Sequence, residues 1–131
     1  MGKNISPALA WKGAPSQTQS YALILIDPDA PGGNFIHWVI YNIPKEFHHL
    51  SPNIPTTAEL ENGILQGTND FGCLGYGGPC PPPSENHRYI FTLYAVDSSL
   101  TLYPKASLQE LQTALKDHIL RETQLIGLFA K

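Results

Sequence analysis

Phe35 to Ile43 reads FIHWVIYNI and Tyr21 to Ile26 reads YALILI. In both runs apolar side chains occupy neighbouring positions as well as alternate ones. Short continuous runs of this kind, bounded by turn formers, read as strands buried on both faces. The first is rich in aromatic and β-branched residues, which suit a pleated surface, and Pro44 stops it. His87 to Val96 (HRYIFTLYAV) is a third candidate of the same type. Pro- and Gly-rich connections separate the three. Gly72 to Pro83 (GCLGYGGPCPPP) carries four prolines, which exclude a helix or a central strand and predict a stiff, pre-ordered loop.

One helix is expected late in the chain. Ser107 is followed three residues later by Glu110, a capping-box signature. Leu108, Leu111, Leu115 and Ile119 then share one helical stripe, predicting a helix from about Ser107 to Arg121. Gln124 to Phe129 reads as a terminal strand. Strands first and a helix late give a mainly β fold, an antiparallel sandwich with a C-terminal peripheral helix.

Length and composition agree with this class. The 131 residues suit one domain, so 1–131 is expected to fold as a single unit. Hydrophobic residues make up 42% and charged residues 15%, which opposes intrinsic disorder, while 12 prolines and 11 glycines point to many turns. The net charge of −3 and only eight Lys and Arg, in no basic run, argue against a nucleic-acid partner. No apolar stretch approaches the length of a membrane span, and no signal peptide opens the chain, so a cytoplasmic location is expected. Cys73 and Cys80 lack zinc-ligand spacing and read as ordinary thiols, with a disulfide across the loop as the alternative.

The polar residues that could carry chemistry fall at strand ends. Alternate side chains of an extended chain share a face, so His87, Tyr89, Phe91 and Leu93 line one side of their strand. Asp27 and Asp29 straddle Pro28 directly after a buried strand. His37 sits near the beginning of its strand, as His87 does. Together these pieces are expected to be able to form a small polar cup of carboxylate, two imidazoles, a phenol and the backbone of a rigid Gly-Pro loop. Each has a plainer reading: Asp-Pro is a common turn opener, and His37 between Ile36 and Trp38 is equally a satisfied core histidine.

In order along the chain, NISPALAW (4–11), DPDAP (27–31), HWVIYN (37–42), GYGGPCPPP (75–83) and HRYIFTLY (87–94) resemble the phosphatidylethanolamine-binding, or Raf kinase inhibitor-like, family. The GGPCPPP version is similar to its bacterial and archaeal branch. The resemblance implies a Greek-key β-sandwich with an anion pocket for phosphate or phosphoryl head groups. Carried over by motif, the pocket residues are Asp27, His37, Gly78, Pro79, His87 and Tyr89, with Asp29, Asp70 and Arg88 supporting the loops. It further implies a non-catalytic binding protein without cofactor or metal. The partners implied are a phosphorylated small molecule or phospholipid head group, and a signalling protein such as a protein kinase. Family members carry a further strand before the equivalent of Asn4, so that strand is expected to be absent or truncated here. The sheet edge left exposed would invite a homodimer.

Two other functions compete. A hydrolase would use the Asp and His residues, but no serine lies in a nucleophile-elbow context and Cys80 lies between prolines. A metal protein would use two histidines and a carboxylate as a facial triad.

Overall fold

The computed structural model describes residues 5–30, 32–78 and 86–130, and side chains throughout these except at 86–87 and 126–130. In chain order the elements are β1 (Leu9–Ala10), β2 (Ser20–Asp27), β3 (Phe35–Pro44), β4 (His49–Leu50), a 3-10 turn (Glu61–Gly63), β5 (Leu65–Gln66), β6 (Asn86–Val96), α1 (Leu108–Leu115) and β7 (Ile119–Ala130). The expected class is the one observed: mainly β, antiparallel, with one late helix. The three strands read from continuous apolar runs are β2, β3 and β6.

Those strands are apolar at consecutive positions because the sheet they form is covered on both sides. Five strands pair antiparallel in the order β5-β3-β2-β6-β7. On one face Tyr21, Leu23, Leu25, Trp38, Ile40 and Tyr89 pack beneath a two-stranded ribbon of β1 and β4, with Leu50, Ile64 and Tyr76. On the other, Ala22, Ile24, Val39 and Tyr41 pack against Val96, Leu100, Leu111 and Leu115. The large sheet is therefore the middle layer, and among the described residues the second sheet is the ribbon of β1 and β4.

Two irregularities in β3 set which residues face which side. Leu25 pairs with Trp38 but Ile26 pairs with Ile36, so His37 is an extra residue, a β-bulge. In a regular strand positions 36 and 38 would share a face. Here Ile36 belongs to the helix-side cluster and Trp38 to the ribbon-side cluster. The second shift lies between Tyr21 and Leu23, where Asn42 adopts a left-handed backbone (φ 56°). Its side chain fastens the bulge to the far loop, accepting from the Leu100 N–H at 2.8 Å and donating to the Leu100 carbonyl at 3.0 Å.

The helix is shorter than the expected Ser107–Arg121. Its start is as predicted: Ser107 accepts from the Glu110 N–H and the Glu110 carboxylate accepts from the Ser107 N–H, closing a capping box. Leu111 and Leu115 are its buried residues. It ends because Lys116 is extended and Asp117 left-handed (φ 68°), which turns the chain back. Ile119 therefore leaves the stripe, is 42% exposed and opens β7. His118 lies past the helix in that turn and meets the Asp97 carboxylate at 2.8 Å. Within 72–83, the loop expected to be stiff, 79–83 lie outside the described residues. Cys73 is an exposed free thiol, and Cys80 is not among the residues described.

Candidate functional site

The site lies where β2 ends, β3 begins and β6 enters the sheet. Asp27 is the last residue of β2 and pairs with Phe35 at the start of β3. Tyr89 lies one step along β6 from Ile90, which pairs with Ile26. Asp27, His37 and Tyr89 are each at most 3% exposed. A carboxylate and an imidazole at that depth need partners. One oxygen of Asp27 accepts the Asp29 N–H at 2.8 Å, closing an Asx turn over Pro28.

His37 is held on two sides by the loop that follows β5. The Gly77 N–H donates to the His37 carbonyl at 2.8 Å, and the imidazole Nδ1 lies 2.6 Å from the Gly77 carbonyl. A carbonyl can only accept, so Nδ1 carries the proton and the neutral ring keeps its lone pair on Nε2. Rings surround it: Phe35 at 5.0 Å, Tyr89 at 5.4 Å and Phe71 at 5.5 Å between centroids, all tilted or edge-on. The bulge is what brings the imidazole to Tyr89's side of the sheet.

Burial lowers the His37 pKa from its ordinary 6.5. The Gly77 carbonyl, the charges of Asp27 and Asp70, and the Gly78 backbone pull the other way and do not overcome it. A neighbouring carboxylate alone predicts a charged histidine. Desolvation decides otherwise, because removing an imidazolium from water costs more than these partners return.

The loop itself is built by residues of two kinds. Asp70, assigned to loop support from sequence, accepts the Ile36 N–H at 2.8 Å, and its own N–H donates to the Ile36 carbonyl at 2.8 Å. Asn69 is 5% exposed and was not read from sequence. Its oxygen accepts from the Phe71 and Cys73 N–H groups, and its amide donates to the Gly75 carbonyl. The available signal was Asn-Asp ahead of Phe-Gly, a turn pair whose side chain can stand in for backbone. Asp29 takes Arg88 in a two-pronged pair, Nε and Nη2 each at 3.0 Å, and also accepts the Arg88 N–H at 2.8 Å. That pair straps the Asp27–Asp29 turn to β6.

Of the pocket set, the structure brings Asp27, His37 and Tyr89 together, with Gly78 next to Gly77, His37's partner. His87 is placed on β6 two residues before Tyr89, paired with Phe129, and its side chain lies outside the described residues. Pro79 lies outside them altogether. Among the described residues no group of three His, Cys, Asp or Glu could hold a metal ion. No helix described is long and apolar enough to cross a membrane.

The class is mainly β, with an acid, a histidine and a tyrosine at the mouth of the central strands of an antiparallel middle-layer sheet. Residues 1–130 match the family model described as phosphatidylethanolamine-binding protein. The chain belongs to that family, and membership implies a binding protein. It is 50% identical over 130 residues to a UPF0098 protein of Methanothermobacter thermautotrophicus, covering 99% of this chain and 85% of that one. It is 45% identical over 132 residues to a UPF0098 protein of Aquifex aeolicus, covering 99% and 77%. Among solved structures, Escherichia coli YbcL, titled a new member of the mammalian PEBP family, superposes with a TM-score of 0.90. The two share 32% identity over 99% of this chain and 82% of YbcL.

Proposed function

We propose that the chain is a non-catalytic binding protein whose pocket, formed by Asp27, His37, Gly78, Pro79, His87 and Tyr89, takes a phosphate or phosphoryl head group. The observation that carries this reading is the set of buried polar side chains at one sheet end: Asp27, His37 and Tyr89 on three adjacent strands. Buried polar groups need a structural or functional reason, and a tripod on rigid strands suits recognition of a compact polar group. Alternation read from the sequence gives residues 87 and 89 a common face, which supports proposing a second imidazole there.

The locked tautomer of His37 makes anion binding proton-linked. Its Nε2 has a lone pair in the neutral state, so it donates to a phosphate oxygen only after taking up a proton. Burial opposes that uptake and the bound anion favours it. Affinity therefore falls as pH rises past the histidine pKa in the complex.

Titration calorimetry with inorganic phosphate and phosphoethanolamine, at pH 6 and pH 8, tests the proposal. Binding is expected to be tighter at the lower pH, with proton uptake visible as a buffer-dependent heat. His87→Ala is expected to cost about 1.5–3 kcal/mol, roughly ten- to a hundredfold in affinity, by removing a charge-assisted bond. Tyr89→Phe is expected to cost less, since it deletes one neutral donor and keeps the ring. Unchanged affinity in a folded His87→Ala protein would move the anion site elsewhere.

A further inference from the structure

Among the described residues Phe71 is a large apolar side chain beside Asp27, His37 and Tyr89, the polar floor of the site, with 51% of its surface exposed. An exposed phenylalanine is ordinary when it stands alone on a mobile loop. This one does neither. Its N–H is bound by the buried Asn69 oxygen at 2.9 Å, and the adjacent Asp70 is bonded in both directions to Ile36 at the head of β3. Its ring meets Phe35 edge-on at 4.8 Å and the buried His37 ring at 5.5 Å. It also lies so close over Gly77 that a Cβ there would come within 2.4 Å of the ring. Gly77 is the residue whose carbonyl fixes the His37 tautomer, so the aromatic shelf and the polar floor share one backbone unit.

Taking the phosphoryl pocket as its premise, we infer that Phe71, with Phe35 behind it, selects phosphoryl ligands bearing a flat apolar substituent. Aryl phosphate esters are bound in preference to free phosphate. The polar floor takes the phosphoryl group, and the ester substituent leaves the floor across the exposed ring of Phe71. Aromatic rings gain from offset or edge contact beyond area burial, and a ring carried on a hydrogen-bonded loop requires no backbone ordering when it is covered.

Inorganic phosphate and phenyl phosphate titrated into wild-type protein, Phe71→Ala and Phe71→Leu test this. Wild type is expected to bind phenyl phosphate roughly three- to tenfold more tightly than phosphate, from the size of aromatic contacts. The ratio is expected to fall close to one in Phe71→Ala and to an intermediate value in Phe71→Leu. The ratio within each variant is the readout, so a general loss of affinity does not imitate the effect. If phosphate binds but the ratio is the same in all three proteins, this inference is overturned while the anion pocket stands. If neither probe binds wild-type protein, the pocket itself is overturned, and the inference with it.

Discussion

Gly67 links β5 to the loop that carries Asn69, Asp70 and Phe71, and Gly67→Ala should be among the costliest single-methyl additions in the fold. A Cβ at this position would lie 2.1 Å from the Ala106 carbonyl oxygen and 3.1 Å from Val39 Cγ1. Real Cβ atoms essentially never come within 3.0 Å of another heavy atom, so backbone has to move by about 1 Å. That backbone is committed on both sides. The Ala106 carbonyl accepts the Thr68 N–H at 3.1 Å, the Ala106 N–H donates to the Tyr41 hydroxyl at 3.3 Å, and the Gly67 N–H donates to Val39 at 2.8 Å. Overpacking costs about 1–3 kcal/mol, and two weakened hydrogen bonds add roughly 1 kcal/mol each, giving about 3–5 kcal/mol. Gly77→Ala is the control, because its close contact is the Phe71 ring, a half-exposed side chain that can swing away. It is expected to lose less than about 1 kcal/mol. Urea unfolding followed by tryptophan fluorescence, with Trp38 fully buried, measures both. With a slope near 2 kcal/mol per molar urea, the Gly67→Ala midpoint falls by roughly 1.5–2.5 M. A midpoint within about 0.3 M of wild type would refute the claim that this crossing is rigid.

Leu111→Ala should cost about 2–5 kcal/mol, read from the same unfolding curves, since the side chain is fully buried between α1 and the sheet. His37 makes stability pH-dependent. Its folded pKa lies below the ordinary 6.5, so the unfolded chain binds more protons in that window, and stability present above it is lost as pH falls. Denaturation at pH 7.5 and pH 5 should show a smaller pH effect in His37→Gln than in wild type; equal slopes would mean the imidazole is not held neutral. Asp29→Asn should speed amide exchange at Arg88, whose N–H and guanidinium both end on that carboxylate. Protection at Arg88 unchanged from wild type would show that the turn does not depend on the pair.

The parts of the fold legible in sequence are those where one physical cause dominates. Two-sided burial writes itself as continuous apolar runs, so β2, β3 and β6 were readable to within a residue or two. The capping box fixed the start of α1, because Ser107 and Glu110 act locally. Its end was not readable: Ile119 continues the helical period, and only the left-handed Asp117 turns it into the first residue of β7. The two-residue strands β1 and β4 have no pattern of their own and exist through each other. In the site, Asp27, His37 and Tyr89 came from motifs, and Asp70 from its position. Asn69 acts through its side-chain amide, Phe71 through its ring and Gly77 through its carbonyl, each placed by the path of the loop, which composition and spacing do not carry. The bulge at His37 is the clearest case, since strict alternation would put residues 36 and 38 on the same side of the sheet.

The bond between the His37 ring and the Gly77 carbonyl gives one side chain two duties that cannot be varied separately. Mechanically the imidazole acts as a supplementary rung, extending the β3 edge onto a loop whose Asp70 and Gly77 N–H groups already donate to the Ile36 and His37 carbonyls. Chemically the same bond decides which nitrogen holds the proton. Any substitution that alters the acid–base behaviour of position 37 also removes that rung from the loop that carries Phe71 and Gly77.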